Sequence, residues 1–174
     1  MLEDEIKAII RDVQDFPKKG IIFKDITPIF AVPELCAKIV DALEKQVLSL
    51  NLDAIAGIEA RGFLFGPLLA QRLNIPFVPI RKVGKLPYKT FEVSYALEYG
   101  TATIEMHQDA FTKGQRVLIH DDLLATGGTA LAAAELISKL AEVVGFSFLI
   151  DLTFLKGADL LTKKSTNIYS LVQY

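Results

Sequence analysis

Residues 121–129 read Asp-Asp-Leu-Leu-Ala-Thr-Gly-Gly-Thr and follow the run Val117-Leu118-Ile119-His120. The run has the character of a buried strand. Such a strand does not finish beside paired carboxylates without a partner for them, because an unpaired buried charge is strongly disfavoured. The small residues that come next let backbone N–H groups approach a ligand closely. At a helix start those donors are unpaired and the macrodipole favours an anion. Thr126 and Thr129 add hydroxyl donors. Ala125, Thr126, Gly127, Gly128 and Thr129 therefore form a candidate cradle for a phosphate monoester. The lysine of a triphosphate P-loop is missing, since threonine follows Gly128. Ionised Asp121 and Asp122 can only accept hydrogen bonds. They repel phosphate and suit a neighbouring diol. Together, cradle and carboxylates match a 5-phosphoribosyl group, with its phosphate on the loop and its 2′- and 3′-hydroxyls on the aspartates. A glycine-containing turn alone is common, and a strand-end aspartate often only caps a helix. The conjunction of strand, acidic pair and loop carries the reading.

Two more segments have the right chemistry for the same substrate. Glu59-Ala60-Arg61-Gly62 lies at a predicted strand-to-helix turn. Gly62 permits unusual torsions, and exposed N–H groups there can hold diphosphate oxygens. The alternative for Arg61 is a surface pair with Glu59, which contributes little. Arg81, Lys82, Lys85 and Lys89 set four positive charges within nine residues of a slightly acidic chain. A departing diphosphate would use them; a solvated loop is the plainer reading of the charges alone. Neither histidine has a Ser or Cys nucleophile beside it, so covalent catalysis has no support. His120 either alters the titration of the acidic pair or is a satisfied core histidine, and the second is favoured.

The elements that must position these residues follow from hydrophobic spacing. Leu2, Ile6, Ile9, Ile10 and Val13 recur at helical intervals, and Ile21-Ile22-Phe23 reads as a short strand. Pro33 suits the first turn of a second helix. Strands are expected at 53–58, 76–81, 115–120 and 145–155, and helices at 61–73 and 127–144. Residues 82–92 read as loop, and 93–106 as a hairpin turning near Tyr99-Gly100. Alternating strands and helices imply an α/β fold: a central, mostly parallel sheet with helices on both faces. Ligands in such sheets collect at the carboxyl ends of strands. All three chemical segments fall there.

The chain has 174 residues and a net charge of −2, which gives no global basic field for nucleic acid or anionic lipid. Cys36 is the single cysteine, and no Cys/His cluster has metal-ligand spacing. The first residues are acidic and amphipathic, unlike a signal peptide, and no apolar run reaches the roughly 18 residues of a membrane span. A soluble, reducing, cytoplasmic setting is expected.

The segment around Asp121 resembles the phosphoribosyl-diphosphate signature of type I phosphoribosyltransferases. More narrowly, "GIIFKDITPIF", "GIEARGFLFGP", "RKVGKLP", "SYALEYG" and "DDLLATGGT" occur in the order and spacing of the adenine branch of that family. The resemblance covers about residues 15–174 and implies one phosphoribosyltransferase domain over 1–174. It also implies a small N-terminal hood (residues 1–30) contributing to the base site, and a flexible loop or hairpin that closes over the substrates. By resemblance, Glu59, Ala60, Arg61 and Gly62 form the diphosphate loop, Lys85 contacts diphosphate, and Arg81 reaches the ligand of a neighbouring subunit in a homodimer. Glu98 is the implied acid/base, a neutral carboxyl able to protonate purine N7. Ile22, Phe23 and Lys24 line the base site with Leu123. There the Lys24 C=O accepts from the adenine amino group and its N–H donates to N1. Mg²⁺ is implied, held by substrate oxygens and water with no direct protein ligand. The implied substrates are adenine and 5-phospho-α-D-ribose 1-diphosphate, and the implied products are AMP and diphosphate. Rival readings are another purine base, or a nucleic-acid-binding regulator, which the slightly acidic composition disfavours. In the family an aliphatic residue usually precedes Asp121; His120 departs from it.

Overall fold

In the computed structural model, which describes residues 1–97 and 100–174, the first amphipathic segment forms helix α1 (Leu2–Ile9). Glu3, Asp4 and Glu5 lie in its first turn and Lys7 in its last, the charge order that a helix dipole favours. The helix is shorter than its periodicity predicts. Ile10 is extended, and Arg11–Gln14 become strand β1, pairing antiparallel with β2 (Ile22–Asp25), Asp12 opposite Lys24. Backbone pairing there outweighs the helical spacing of Val13. After a 3₁₀ turn at Thr27–Ala31, Pro33 opens α2 (Pro33–Val47). Residues Met1–Ala42 make one compact unit, in which Ile6, Ile26, Ile29 and Ile39 are fully buried.

The second unit, Leu43–Tyr174, carries β3 (Ala54–Ile58), α3 (Gly62–Leu73), β4 (Phe77–Lys82), β5 (Thr90–Leu97) and β6 (Gly100–His107). It continues with β7 (Arg116–Leu124), α4 (Gly128–Ile137), β8 (Glu142–Asp151), α5 (Gly157–Leu161) and β9 (Ile168–Gln173). The seven strands lie in the order β5-β6-β4-β3-β7-β8-β9. Strands β4, β3, β7, β8 and β9 run parallel, while β6 and β5 add an antiparallel edge. This is the α/β sheet expected.

Strand alternation assigns the two faces. Ala54, Ala56, Ile58, Val117 and Ile119 join one buried cluster with Ala130, Ala133, Ala134 and Ile137 of α4. Gly57 and His120, of opposite parity, lie toward Gly66 of α3: a Cβ on Gly66 would meet Phe77 and the His120 ring. Helices therefore cover both faces. The chain leaves β3 toward β4 on one side and later places β7 on the other. Connections diverge at the carboxyl ends of β3 and β7, which opens a crevice there.

Further boundaries differ from the sequence reading: the strand expected through residue 155 ends at Asp151, and residues 90–92, expected as loop, open β5. The helix expected to reach residue 144 stops at Ile137, because Glu142 and Val143 pair with Arg116 and Val117 as the start of β8. Strand β7 runs on through Asp121-Asp122 to Leu124, since β8 accompanies it as far as Asp151. Strand β9 was not read from the sequence; it is an edge strand, and four of its six residues are only half-buried. Phe146 has no exposed surface and belongs to the cluster under α4. Replacing it with alanine is expected to cost about 3–5 kcal/mol, read as a lower midpoint in urea unfolding.

Candidate active site

The loops leaving β3 and β7 enclose a cavity of about 220 Å³, lined by residues 59–61, 121–130 and Phe148. The side of the cavity made by α4 begins at Gly127, whose φ is +83°. A Cβ there would also stand 2.7 Å from the Gly157 carbonyl oxygen, so both torsion and space demand glycine. The first intrahelical bond runs from Leu131 N–H to Gly127 C=O. Helix geometry thus leaves the N–H groups of Gly128, Thr129 and Ala130 for a ligand. The cradle is an uncapped helix start lined with two threonine hydroxyls.

Asp121 and Asp122 stand beside it at the end of β7. Asp122 is 2 % exposed, and Arg61, at the start of α3, holds its carboxylate with an Nε–Oδ2 distance of 2.8 Å. Asp121 Oδ1 accepts the Asp122 backbone N–H at 2.8 Å. Burial, followed by the charge of Asp122, pushes the Asp121 carboxyl well above its ordinary range. Burial also raises Asp122, and the Arg61 guanidinium partly offsets it. The pair therefore resists double ionisation until something supplies donors or positive charge. Close passage of α3 over β7 makes this packing possible. A Cβ on Gly62 would lie 2.8 Å from the His120 carbonyl oxygen and 3.2 Å from Asp121 Oδ1.

His120 is fully buried, its Nδ1 3.3 Å from Ser147 Oγ, and burial lowers its pKa to about 4. It is a neutral core residue with one ring nitrogen satisfied; Nε2 has no hydrogen-bond partner.

The basic loop reaches the cavity through an acidic residue. Arg81 Nη2 donates to Glu59 Oε1 at 2.6 Å, and its Nη1 donates to the Lys85 carbonyl at 3.1 Å. That contact, outweighing the cost of burial, keeps the Glu59 carboxyl below its usual range. Glu59 therefore pairs with Arg81, and Arg61 with Asp122. Glu105, 3 % exposed on β6, accepts the backbone N–H groups of Lys85 and Leu86 at 2.8 and 2.7 Å. Burial alone would raise its carboxyl, yet these N–H donors win and lower it. Glu105 fixes the lysine turn from beneath. A charge inside the apolar strand "TATIEM" is its signal in the sequence.

The comparisons with known proteins agree with this geometry. A family model described as "Phosphoribosyl transferase domain" matches residues 25–164. The adenine phosphoribosyltransferase of Cytophaga hutchinsonii is 55 % identical over 175 residues, covering 100 % of this chain and 97 % of that protein. The chain belongs to the adenine phosphoribosyltransferase family.

The crystal structure of the Thermoanaerobacter pseudethanolicus adenine phosphoribosyltransferase superposes with a TM-score of 0.96 at 49 % identity, covering 100 % of both chains. The Saccharomyces cerevisiae family member, solved with D-2,5-dideoxy-2,5-imino-altritol 1,6-bisphosphate and adenine, gives 0.89 at 41 % identity, covering 97 % of each. Of the family's expected site residues in this chain, one cavity gathers Glu59, Ala60, Arg61, Asp121, Asp122, Leu123 and the whole stretch Ala125 to Thr129. Gly62 is buried just behind it. Arg81 and Lys85 do not line it; Arg81 is tied to it through Glu59. Ile22, Phe23 and Lys24 belong to the first unit, where Lys24 Nζ holds Asp12 at 2.8 Å. Glu98 lies outside the described residues. Sequence reasoning did not find Ala130 and Phe148, which line the cavity, or Tyr95, whose hydroxyl accepts from Thr129 Oγ1 at 3.0 Å. Phe148 sits in an apolar run where nothing marks one ring from the next.

The raised carboxyls have a consequence for stability. An acid with a raised folded pKa binds its proton more tightly when folded, so stability falls as pH rises above the unfolded value of about 4. Asp121→Asn keeps the acceptor for Asp122 N–H and removes the buried charge. Its melting temperature is expected to exceed wild type at pH 7, with the gap closing toward pH 4, as thermal scans across pH will show.

Proposed function

We infer that this protein transfers the 5-phosphoribosyl group of 5-phospho-α-D-ribose 1-diphosphate to N9 of adenine, giving AMP and diphosphate and so returning free adenine to the nucleotide pool. The observation that carries the reading is the single cavity in which an uncapped helix start adjoins two aspartates. The 5′-phosphate takes the N–H groups and hydroxyls of residues 125–129. The ribose 2′- and 3′-hydroxyls donate to Asp121 and Asp122, which offsets the loss of water that raises both pKa values and the Asp122 charge that adds to it at Asp121.

Glu59, Ala60, Arg61 and Gly62 receive the diphosphate, with Arg61 and Lys85 stabilising charge on the leaving oxygen. The bond from C1′ to diphosphate breaks through an oxocarbenium-like state as N9 of adenine attacks from the opposite face. Glu98 exchanges the proton at purine N7. The backbone of Lys24 reads the adenine amino group and N1, flanked by Ile22 and Phe23, while Leu123 packs against the ring. Hypoxanthine and guanine invert both polar contacts, and each unmatched buried group costs about 1–3 kcal/mol.

Mg²⁺ fits a donor set of this kind. The cavity wall offers the carboxylates of Asp121 and Asp122, and among the described residues no group of three or more His, Cys, Asp or Glu is arranged to hold a metal ion. Those carboxylates would face a cation that keeps its waters and substrate oxygens. When bound, the ion would neutralise diphosphate charge. A homodimer is the proposed working unit, in which Arg81 exchanges its Glu59 partner for the neighbouring subunit's diphosphate. No described helix is long and apolar enough to cross a membrane, and a cytoplasmic location is proposed.

A spectrophotometric assay with adenine, donor and Mg²⁺ is expected to yield AMP, and EDTA to abolish it. Adenine should exceed hypoxanthine, guanine and xanthine by roughly 30-fold or more in kcat/KM, given two mismatched contacts. Joint replacement Asp121→Asn and Asp122→Asn should cut kcat/KM for the donor by ~100-fold or more while the protein stays folded. Wild-type rates in that double variant would remove the ribose role.

A further inference from the structure

The hydroxyl of Tyr95 is the feature of the hairpin that meets the phosphate cradle. Thr129 Oγ1 donates to Tyr95 Oη at 3.0 Å. Tyr95 belongs to β5 and packs against the buried cluster that includes Ala130, Ala133 and Ala134 of α4. Its ring edge also runs beside the helix start: a Cβ on Gly128 would lie 3.9 Å from Tyr95 Cδ2. Thr129 is the second residue of α4 and lines the cavity.

On the phosphoribosyl reading of that cavity, on which this inference rests, we propose that Tyr95 is a positioning residue for the 5′-phosphate. It selects the Thr129 rotamer that faces the ligand and thereby ties the β5–β6 hairpin to occupancy of the cradle. The argument is one of proton supply. A threonine hydroxyl has one proton and two lone pairs. Thr129 is the second residue of α4, so no helical carbonyl lies three or four residues before it to take that proton. Tyr95 Oη supplies the acceptor instead and fixes χ1.

A phosphate monoester brings only acceptors, so its arrival takes the Thr129 proton. Thr129 Oγ1 is then free to accept, and the Tyr95 O–H turns to donate to it. The chain Tyr95 O–H to Thr129 O–H to phosphate is charge-assisted at its far end, and each bond polarises the next. No proton leaves the chain; only the direction of one hydrogen bond reverses. Tyr95 stands three positions before Glu98. The strand that leads to the proposed acid/base is therefore anchored on the group that senses the sugar phosphate.

Calorimetric AMP titration and steady-state kinetics of Tyr95→Phe, Thr129→Val and the double variant test this. Tyr95→Phe is expected to raise the AMP Kd and the KM for the donor by ~3–10-fold, the range of one neutral hydrogen bond. The kcat and the adenine KM should stay within about twofold. In the cycle, Tyr95→Phe should add nothing to Thr129→Val, since the proposed effect passes through that hydroxyl. A merely structural role would lower the melting temperature and weaken AMP equally in both backgrounds. Additive losses, or an unchanged AMP Kd in Tyr95→Phe, would overturn the role of Tyr95 alone. Wild-type protein that binds no AMP would take the phosphoribosyl reading down with it.

Discussion

Two carboxylates held side by side at the end of a buried strand set the terms for everything around them. Burial raises the proton affinity of both Asp121 and Asp122, and the charge of Asp122 raises that of Asp121 further. A fold tolerates such a pair only with compensation nearby. Arg61 supplies part of it at 2.8 Å from Asp122. The site thus sets carboxylate acceptors on one wall and N–H donors without intrahelical partners on another, and the proposed phosphorylated sugar would complete both. Like many functional sites, it is locally unfavourable and is held by the packed structure behind it.

That support comes from packing and pairing behind the cavity wall. Gly62 lets α3 cross β7 directly over the acidic pair, and Gly127 lets the cradle close against Gly157. Glu105 gathers the N–H groups of the lysine turn, while Glu59 holds Arg81. Glu105 takes backbone N–H groups, Asp122 the Arg61 guanidinium, and Glu59 the Arg81 guanidinium with the Lys82 N–H. Selective pairing of this kind keeps a concentration of both charge signs from collapsing into one salt-bridged cluster.

Much of the architecture was legible from spacing. Aliphatic runs bounded by glycine and small residues announced β3, β7 and β8, because a strand buried on both faces must be continuously apolar. The helix that opens at Gly128 announced itself through its cradle. Boundaries were less legible wherever pairing partners decided them. Residues 138–144 keep helical spacing, yet Glu142 and Val143 are drawn into β8 by β7. Val13 keeps the periodicity of α1, yet β2 claims it.

The order of residues alone settled which chemical groups are present and at which strand ends they stand, because glycine, threonine and aspartate have few substitutes for bringing backbone donors and fixed acceptors to an anionic sugar. Pairing among those groups was decided only in three dimensions. That Arg61 meets Asp122, that Arg81 takes Glu59, and that Tyr95 meets Thr129 depend on strand order and on which face each residue occupies. These contacts join residues 22 to 61 positions apart in the chain. No local rule of spacing reaches that far; only the closing of the sheet around one buried core brings them into contact.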